Sequence, residues 1–159
     1  MSISKGDKIP TATFTHMTGD GPKPVSSEEL FANKKVVLFA LPGAFTPTCS
    51  AAHLPGFVAN ADKIKAKGVD DIVCLATNDA FVMDAWGKAQ NAQEIHMVAD
   101  GSAAFTRAIG LELDLTERGM GVRSQRYAMI VDNGTVADIA VEGAGKLEVS
   151  SAEAILGKL

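Results

Sequence analysis

Six consecutive apolar residues, Val36-Val37-Leu38-Phe39-Ala40-Leu41, run straight into Pro42-Gly43. A β-branched and aromatic run closed by that pair is a buried strand that stops abruptly, and Ser50-Ala51-Ala52-His53-Leu54 beyond it reads as helix. Cys49 therefore stands where a strand hands over to a helix. With Pro47 at the first helical position, Thr46 becomes the N-cap and Cys49 falls three residues past it, the slot that a capping box gives to glutamate. A thiolate there would sit in the positive end of the helix and accept hydrogen bonds from the free N–H groups of the first turn.

Magnitudes set what else the sulfur needs. A free thiol titrates near about 8.5, and lowering that by two units takes roughly 2.7 kcal/mol. A helix terminus supplies about 0.3–1 kcal/mol and a hydrogen bond from Thr46 about 1 kcal/mol. The remainder calls for a cation from elsewhere in the chain. The alternative at this position is inert packing, because cysteine is among the residues most often buried.

The 159 residues suffice for one domain, 1–159, with its own core, and are too few for two ordinary ones. Hydrophobic residues at 47% against 21% charged exclude disorder and collagen-like architectures. A formal charge of −4 with no basic stripe argues against a nucleic-acid partner. The two cysteines, Cys49 and Cys74, form no C-x-x-C pair, no apolar leader opens the sequence, and no window has the length of a membrane span. A reducing cytoplasm is the expected compartment, where lone thiols are catalytic, redox-sensing or buried.

Along the chain, residues 12–15 form a short edge strand and Gly19-Asp20-Gly21-Pro22 a turn. Residues 26–31 read as a capped helix ended near Asn33, and the buried strand covers about 35–41. A helix follows over about 47–67, interrupted at Leu54-Pro55-Gly56 and ended by Gly68. Then come a strand at 71–76, a helix at about 80–89 capped by Asn78-Asp79, a strand near 95–99 and a helix near 103–109 stopped by Gly110. A long loop spans 111–121, and strands at 125–131 and 135–139 join through Asn133-Gly134, a strong hairpin signal. A helix at about 151–156 closes the order. Strand-helix-strand followed by helix and antiparallel hairpin predicts an α/β fold.

The string PGAFTPTC followed by SAAHLPGF resembles the active-site segment of peroxiredoxins, P-x-x-x-T-x-x-C, matched at Pro42, Thr46 and Cys49. The flanking residues are similar to the type II, or peroxiredoxin-5, subgroup, and so are GVDDIVCLATNDAFVMDAW and RYAMIVDNGTV further on. The resemblance covers nearly the whole chain. It implies a thioredoxin-like fold with an N-terminal extension, a central mixed sheet flanked by helices, and a thiol-dependent peroxidase acting on hydrogen peroxide and organic hydroperoxides. In that reading the Cys49 thiolate attacks the peroxide and becomes sulfenic acid. Thr46 aligns the peroxide oxygens besides capping the helix, and Pro42 covers the thiolate besides ending the strand. Among only four arginines, Arg126 matches the one that the family places over the cysteine, with Arg123 in reserve. Guanidinium keeps its proton and donates to two acceptors at once, as that task requires.

His53, four residues after Cys49, lies on roughly the same helix face; it has two readings, a group that tunes the thiol and, favoured over it, a hydrogen-bonded structural histidine. His16 and His96 are remote in sequence and no carboxylates cluster, so no metal site is expected. Cys74 sits mid-strand, where burial and poor reactivity are expected. Two-cysteine members of the subgroup carry a resolving cysteine near the C-terminus, and Gly145-Lys146-Leu147-Glu148-Val149-Ser150-Ser151 holds none. The implied cycle uses one cysteine, with glutathione and glutaredoxin or thioredoxin as external reductant and no cofactor. Pairing beside the active site implies a homodimer. Alternatives are a redox sensor signalling through the same cysteine, a Cys49–Cys74 disulfide cycle with thioredoxin, and a disulfide reductase, which the missing C-x-x-C disfavours.

Overall fold

A computed structural model describes residues 1–159. The chain enters as a hairpin, β1 (Thr13–Thr18) and β2 (Gly21–Ser26), followed by helix α1 (Ser27–Phe31). Ser26 and Glu29 close a full capping box at the start of α1, and Asn33 turns the chain away at φ +58°. Strand β3 (Lys35–Ala40) leads through the Pro42-to-Thr48 loop into a π-turn (Cys49–His53) and helix α2 (Leu54–Ala66). Next come β4 (Asp71–Ala76), α3 (Ala80–Ala89, capped by Asp79), β5 (His96–Ala99) and α4 (Ala104–Ala108). The last segments are β6 (Glu112–Leu115), a 3-10 turn (Thr116–Arg118), β7 (Gly121–Ser124), β8 (Tyr127–Asp132), β9 (Thr135–Val141) and α5 (Ala152–Leu156).

Seven strands form one sheet in the order β2-β1-β5-β4-β3-β8-β9. β3, β4 and β5 run parallel at its centre, and the flanking pairs are antiparallel, so the sheet is mixed. The apolar run of β3 is continuous because both faces are covered. Val37, Phe39 and Leu41 pack with Ile72 and Cys74 under α2, α3 and α5, whereas Val36, Leu38 and Ala40 join Leu75, α1 and α4 on the other side. Phe39 stacks on Phe57 of α2 with ring centroids 3.9 Å apart, fixing α2 against the sheet. Asn133 and Gly134 take φ of +48° and +78°, which the two-residue hairpin turn between β8 and β9 demands.

Three features depart from the sequence expectation. The expected single strand at 12–15 is a hairpin whose second strand, β2, contains Pro22 and Pro24. Proline cannot donate, but the two occupy alternate positions of an edge strand, where the missing N–H groups face away from β1. The expected loop at 111–121 is the separate hairpin β6–β7. Its signal was the Glu112-Leu113-Asp114-Leu115 alternation, weakened by two residues that disfavour strands. The expected bend at Leu54-Pro55-Gly56 is a widened turn, in which the Leu54 N–H bonds the Cys49 carbonyl five residues back. Pro55 has no N–H for the ordinary helical bond to Ala51, and the wider turn accommodates that gap.

Candidate active site

Helical backbone begins at Pro47, and Cys49 opens the widened turn at the carboxyl end of β3, the end of a parallel sheet where functional groups collect. The preceding loop is held by side chains from two other segments and by one of its own. Asn78, after β4, accepts the Ala44 N–H at 2.9 Å. Arg123 of β7 donates from Nη1 to the Pro42 carbonyl at 3.1 Å and from Nε to the Met120 carbonyl at 2.8 Å. The Thr46 hydroxyl donates to the Gly43 carbonyl at 2.7 Å. Within this frame Phe45 takes φ of +64°, a left-handed conformation that costs an L side chain about 1–2 kcal/mol, and its ring stays 56% exposed.

The Cys49 side chain is completely buried, and its hydrogen-bond partner is the Nη2 group of Arg126, 3.2 Å from Sγ. Arg126 stands just before β8, the strand antiparallel to β3, so sheet pairing carries it to the sulfur across 77 residues. The same guanidinium donates from Nη1 to His53 Nδ1 at 2.9 Å. His53 is buried against Phe39 and Phe57, and its Nε2 lies 2.9 Å from the Ser150 carbonyl. That carbonyl can only accept, so Nε2 carries the hydrogen and Nδ1 presents its lone pair to Arg126. Burial is the main reason that the imidazolium is disfavoured, with the Arg126 charge adding to it, and the His53 pKa is lowered to about 4.

The expected site residues thus gather from separate segments. Arg126 reaches the sulfur, while Arg123, the reserve candidate, clamps the loop backbone at Pro42. Pro42 and Arg126 share one wall of a cleft of about 450 Å³ whose other residues include Leu113, Leu115, Arg118 and Gln125. Two expectations need correction. First-turn N–H groups do not bond the sulfur, because the guanidinium takes that position. The Thr46 hydroxyl neither caps the helix nor donates to Cys49; it is turned to Gly43. Cys74 lies on the same side of the sheet as Cys49, fully buried, and burial pushes its thiol well above the ordinary range. Both thiols are free. Sequence reasoning missed Asn78 and Ser150, neither of which carries a recognisable motif, and placed His53 as structural without its bond to Arg126.

His16 and His96, remote in sequence, meet at 2.7 Å, with Asp71 on the far nitrogen of His96 at 3.0 Å. They lie toward the amino ends of β4 and β5, away from Cys49, and no three or more His, Cys, Asp or Glu side chains are placed so that they could hold a metal ion.

A thioredoxin-like α/β sheet with a sulfur buried under a guanidinium at the carboxyl end of its strands defines a thiol-based oxidoreductase. The family model described as Redoxin matches residues 4–156. Peroxiredoxin-2D of Arabidopsis thaliana is 48% identical over 159 residues, covering 99% of this chain and 98% of the relative. The chloroplastic Peroxiredoxin-2E of the same plant is also 48% identical, over 99% of this chain and 70% of its own length. The crystal structure of reduced Prx3 from Vibrio vulnificus in complex with hydrogen peroxide superposes with a TM-score of 0.95 at 58% identity, over 98% of both chains. The chain belongs to the Redoxin family, as a peroxiredoxin of the type II kind, and is a thiol-dependent peroxidase. No helix is long and apolar enough to cross a membrane.

Proposed function

We propose that Cys49 is the peroxidatic nucleophile, with Arg126, Thr46 and Pro42 completing the catalytic set. The observation that carries this reading is the 3.2 Å contact between Arg126 Nη2 and the Cys49 sulfur. A permanently charged donor at that distance favours the anionic sulfur and is placed to stabilise charge developing on the adjacent peroxide oxygen. The Thr46 hydrogen is already committed to Gly43, so its oxygen offers lone pairs and accepts the O–H of an incoming hydroperoxide. Pro42 walls off the site, and the cleft beside it is the entry, its Leu113 and Leu115 suiting the organic part of an alkyl hydroperoxide.

In the step itself the sulfur lone pair attacks the terminal peroxide oxygen and the O–O bond breaks. The leaving hydroxide or alkoxide takes a proton to become water or alcohol, and Cys49 is left as sulfenic acid, oxidised by two electrons. A small external thiol then attacks the sulfenic sulfur, releasing water and forming a mixed disulfide that a second thiol reduces. Glutathione with glutaredoxin is the reductant we favour, because the buried, protonated Cys74 is a poor nucleophile. The cytoplasm, rich in such thiols, is the matching compartment. Phe45 and Phe81, 56% and 64% exposed on the active-site loop and the start of α3, support pairing of two copies.

Cys49→Ser should abolish peroxide consumption with glutathione and glutaredoxin; turnover at the parental rate would refute Cys49 as nucleophile. Intact-mass analysis after one equivalent of hydrogen peroxide should show the sulfenic acid, while a Cys49–Cys74 disulfide would replace the external-thiol step by an internal one.

A further inference from the structure

The bonds around Arg126 form a closed circuit. The Glu142 backbone N–H, at the end of β9, donates to the Arg126 carbonyl at 2.9 Å. The Glu142 carboxylate oxygen Oε2 accepts the Glu148 N–H at 2.7 Å, the Ser150 N–H at 2.8 Å and the Ser150 hydroxyl at 2.7 Å. The Ser150 carbonyl accepts from His53 Nε2, and His53 Nδ1 accepts from Arg126. We propose that Glu142 is a positioning residue for Arg126, acting through Ser150 and His53.

Each link has a physical reason. The Ser150 carbonyl decides which imidazole nitrogen of His53 carries the hydrogen. Were it elsewhere, Nδ1 would be free to hold the proton and would confront the Arg126 donor with another donor. Ser150 is fully buried, yet it ends an exposed segment, Gly143 to Val149, whose internal backbone bonding is a single Lys146-to-Gly143 turn. Three bonds converging on one carboxylate oxygen are what hold that segment's end in place. Burial raises the Glu142 carboxyl, and the bonds from Ser150 and Glu148 outweigh it, so the group is held below its ordinary range and remains an acceptor at neutral pH. An arginine side chain has several rotatable bonds, so a guanidinium that must meet both a sulfur and a substrate oxygen depends on such a fixed partner.

The proposal rests on Arg126 serving the peroxidase step, so its test has two readouts. In Glu142→Ala, kcat/KM for hydrogen peroxide should fall on the order of tenfold or more. Nitrogen-15 NMR of the histidine rings should show His53 as the Nε2–H tautomer in the parent and as a tautomer mixture in the variant, a signature independent of peroxidase activity. Ser150→Ala removes one of the three bonds, leaves the backbone intact and should move both readouts the same way by a smaller factor. It provides the test if Glu142→Ala does not fold. An unchanged tautomer together with unchanged kcat/KM in the folded variant overturns the proposal. A tautomer change without a rate change also overturns it, because Arg126 would then not depend on the circuit.

Discussion

Lowering the pH should weaken this fold through His53 by an amount that the structure sets. Burial against Phe39 and Phe57, reinforced by the Arg126 charge, lowers the His53 pKa from 6.5 to about 4. At pH 7 the ring is neutral in both folded and unfolded chains, and its contribution is fully present. As pH falls below 6.5 the unfolded chain gains a proton that the folded chain refuses, so stability drops until the folded ring protonates near pH 4. At about 1.4 kcal/mol per pH unit the full loss is about 3 kcal/mol, and about 2 kcal/mol of it is already gone at pH 5. Urea unfolding of the reduced protein, followed by fluorescence of the single, buried Trp86, reads this directly. His53→Gln supplies the control, since its amide can donate to Ser150 and accept from Arg126 but does not titrate. Other groups titrate in both proteins, among them His16, whose pKa is lowered first by burial and then by His96. Between pH 7 and pH 5 the parent should therefore lose about 2 kcal/mol more than His53→Gln. Equal losses would show that the ring is not kept neutral by its surroundings.

Arg126→Gln keeps a hydrogen-bonding side chain but removes the charge at the sulfur, and kcat/KM for peroxide should fall by about a hundredfold or more; a change below threefold in stopped-flow assays would remove Arg126 from the mechanism. Gly43→Ala introduces a Cβ that would stand 2.6 Å from Arg123 Nη1, so Arg123 should release the Pro42 carbonyl. Its peroxidase rate should drop several-fold while thermal unfolding moves little; an unaffected rate would mean that this clamp is dispensable. The Tyr127 hydroxyl is buried without a hydrogen-bond partner. Tyr127→Phe should therefore stabilise the protein, by about 1 kcal/mol, and a lower urea midpoint would contradict the missing partner.

The local code wrote much of this molecule plainly. The β3 run, the Ser26–Glu29 capping box, the Asn133-Gly134 turn and the proline at the start of the helix before Cys49 are short-range signals, and each is found within a residue or two of where the sequence puts it. Strand β2 and the β6–β7 hairpin were harder to read because prolines and acidic residues argue locally against strands that edge pairing permits. Within the site, the resemblance of PGAFTPTC to the peroxiredoxin segment P-x-x-x-T-x-x-C singled out Pro42, Thr46 and Cys49, and the need for a cation followed from energetics.

Which partner each polar group would find was decided by the tertiary structure. Pairing of β8 with β3 brings Arg126 to the sulfur and leaves Arg123 on the loop, although both arginines lie in one short stretch of chain. Folding also turned the Thr46 hydroxyl to Gly43 and placed Ser150 against His53, and it joined His16 to His96 across 80 residues. Sequence periodicity reports which face of an element is buried; it carries no information about which distant donor and acceptor become neighbours, and only closure of the sheet settles that.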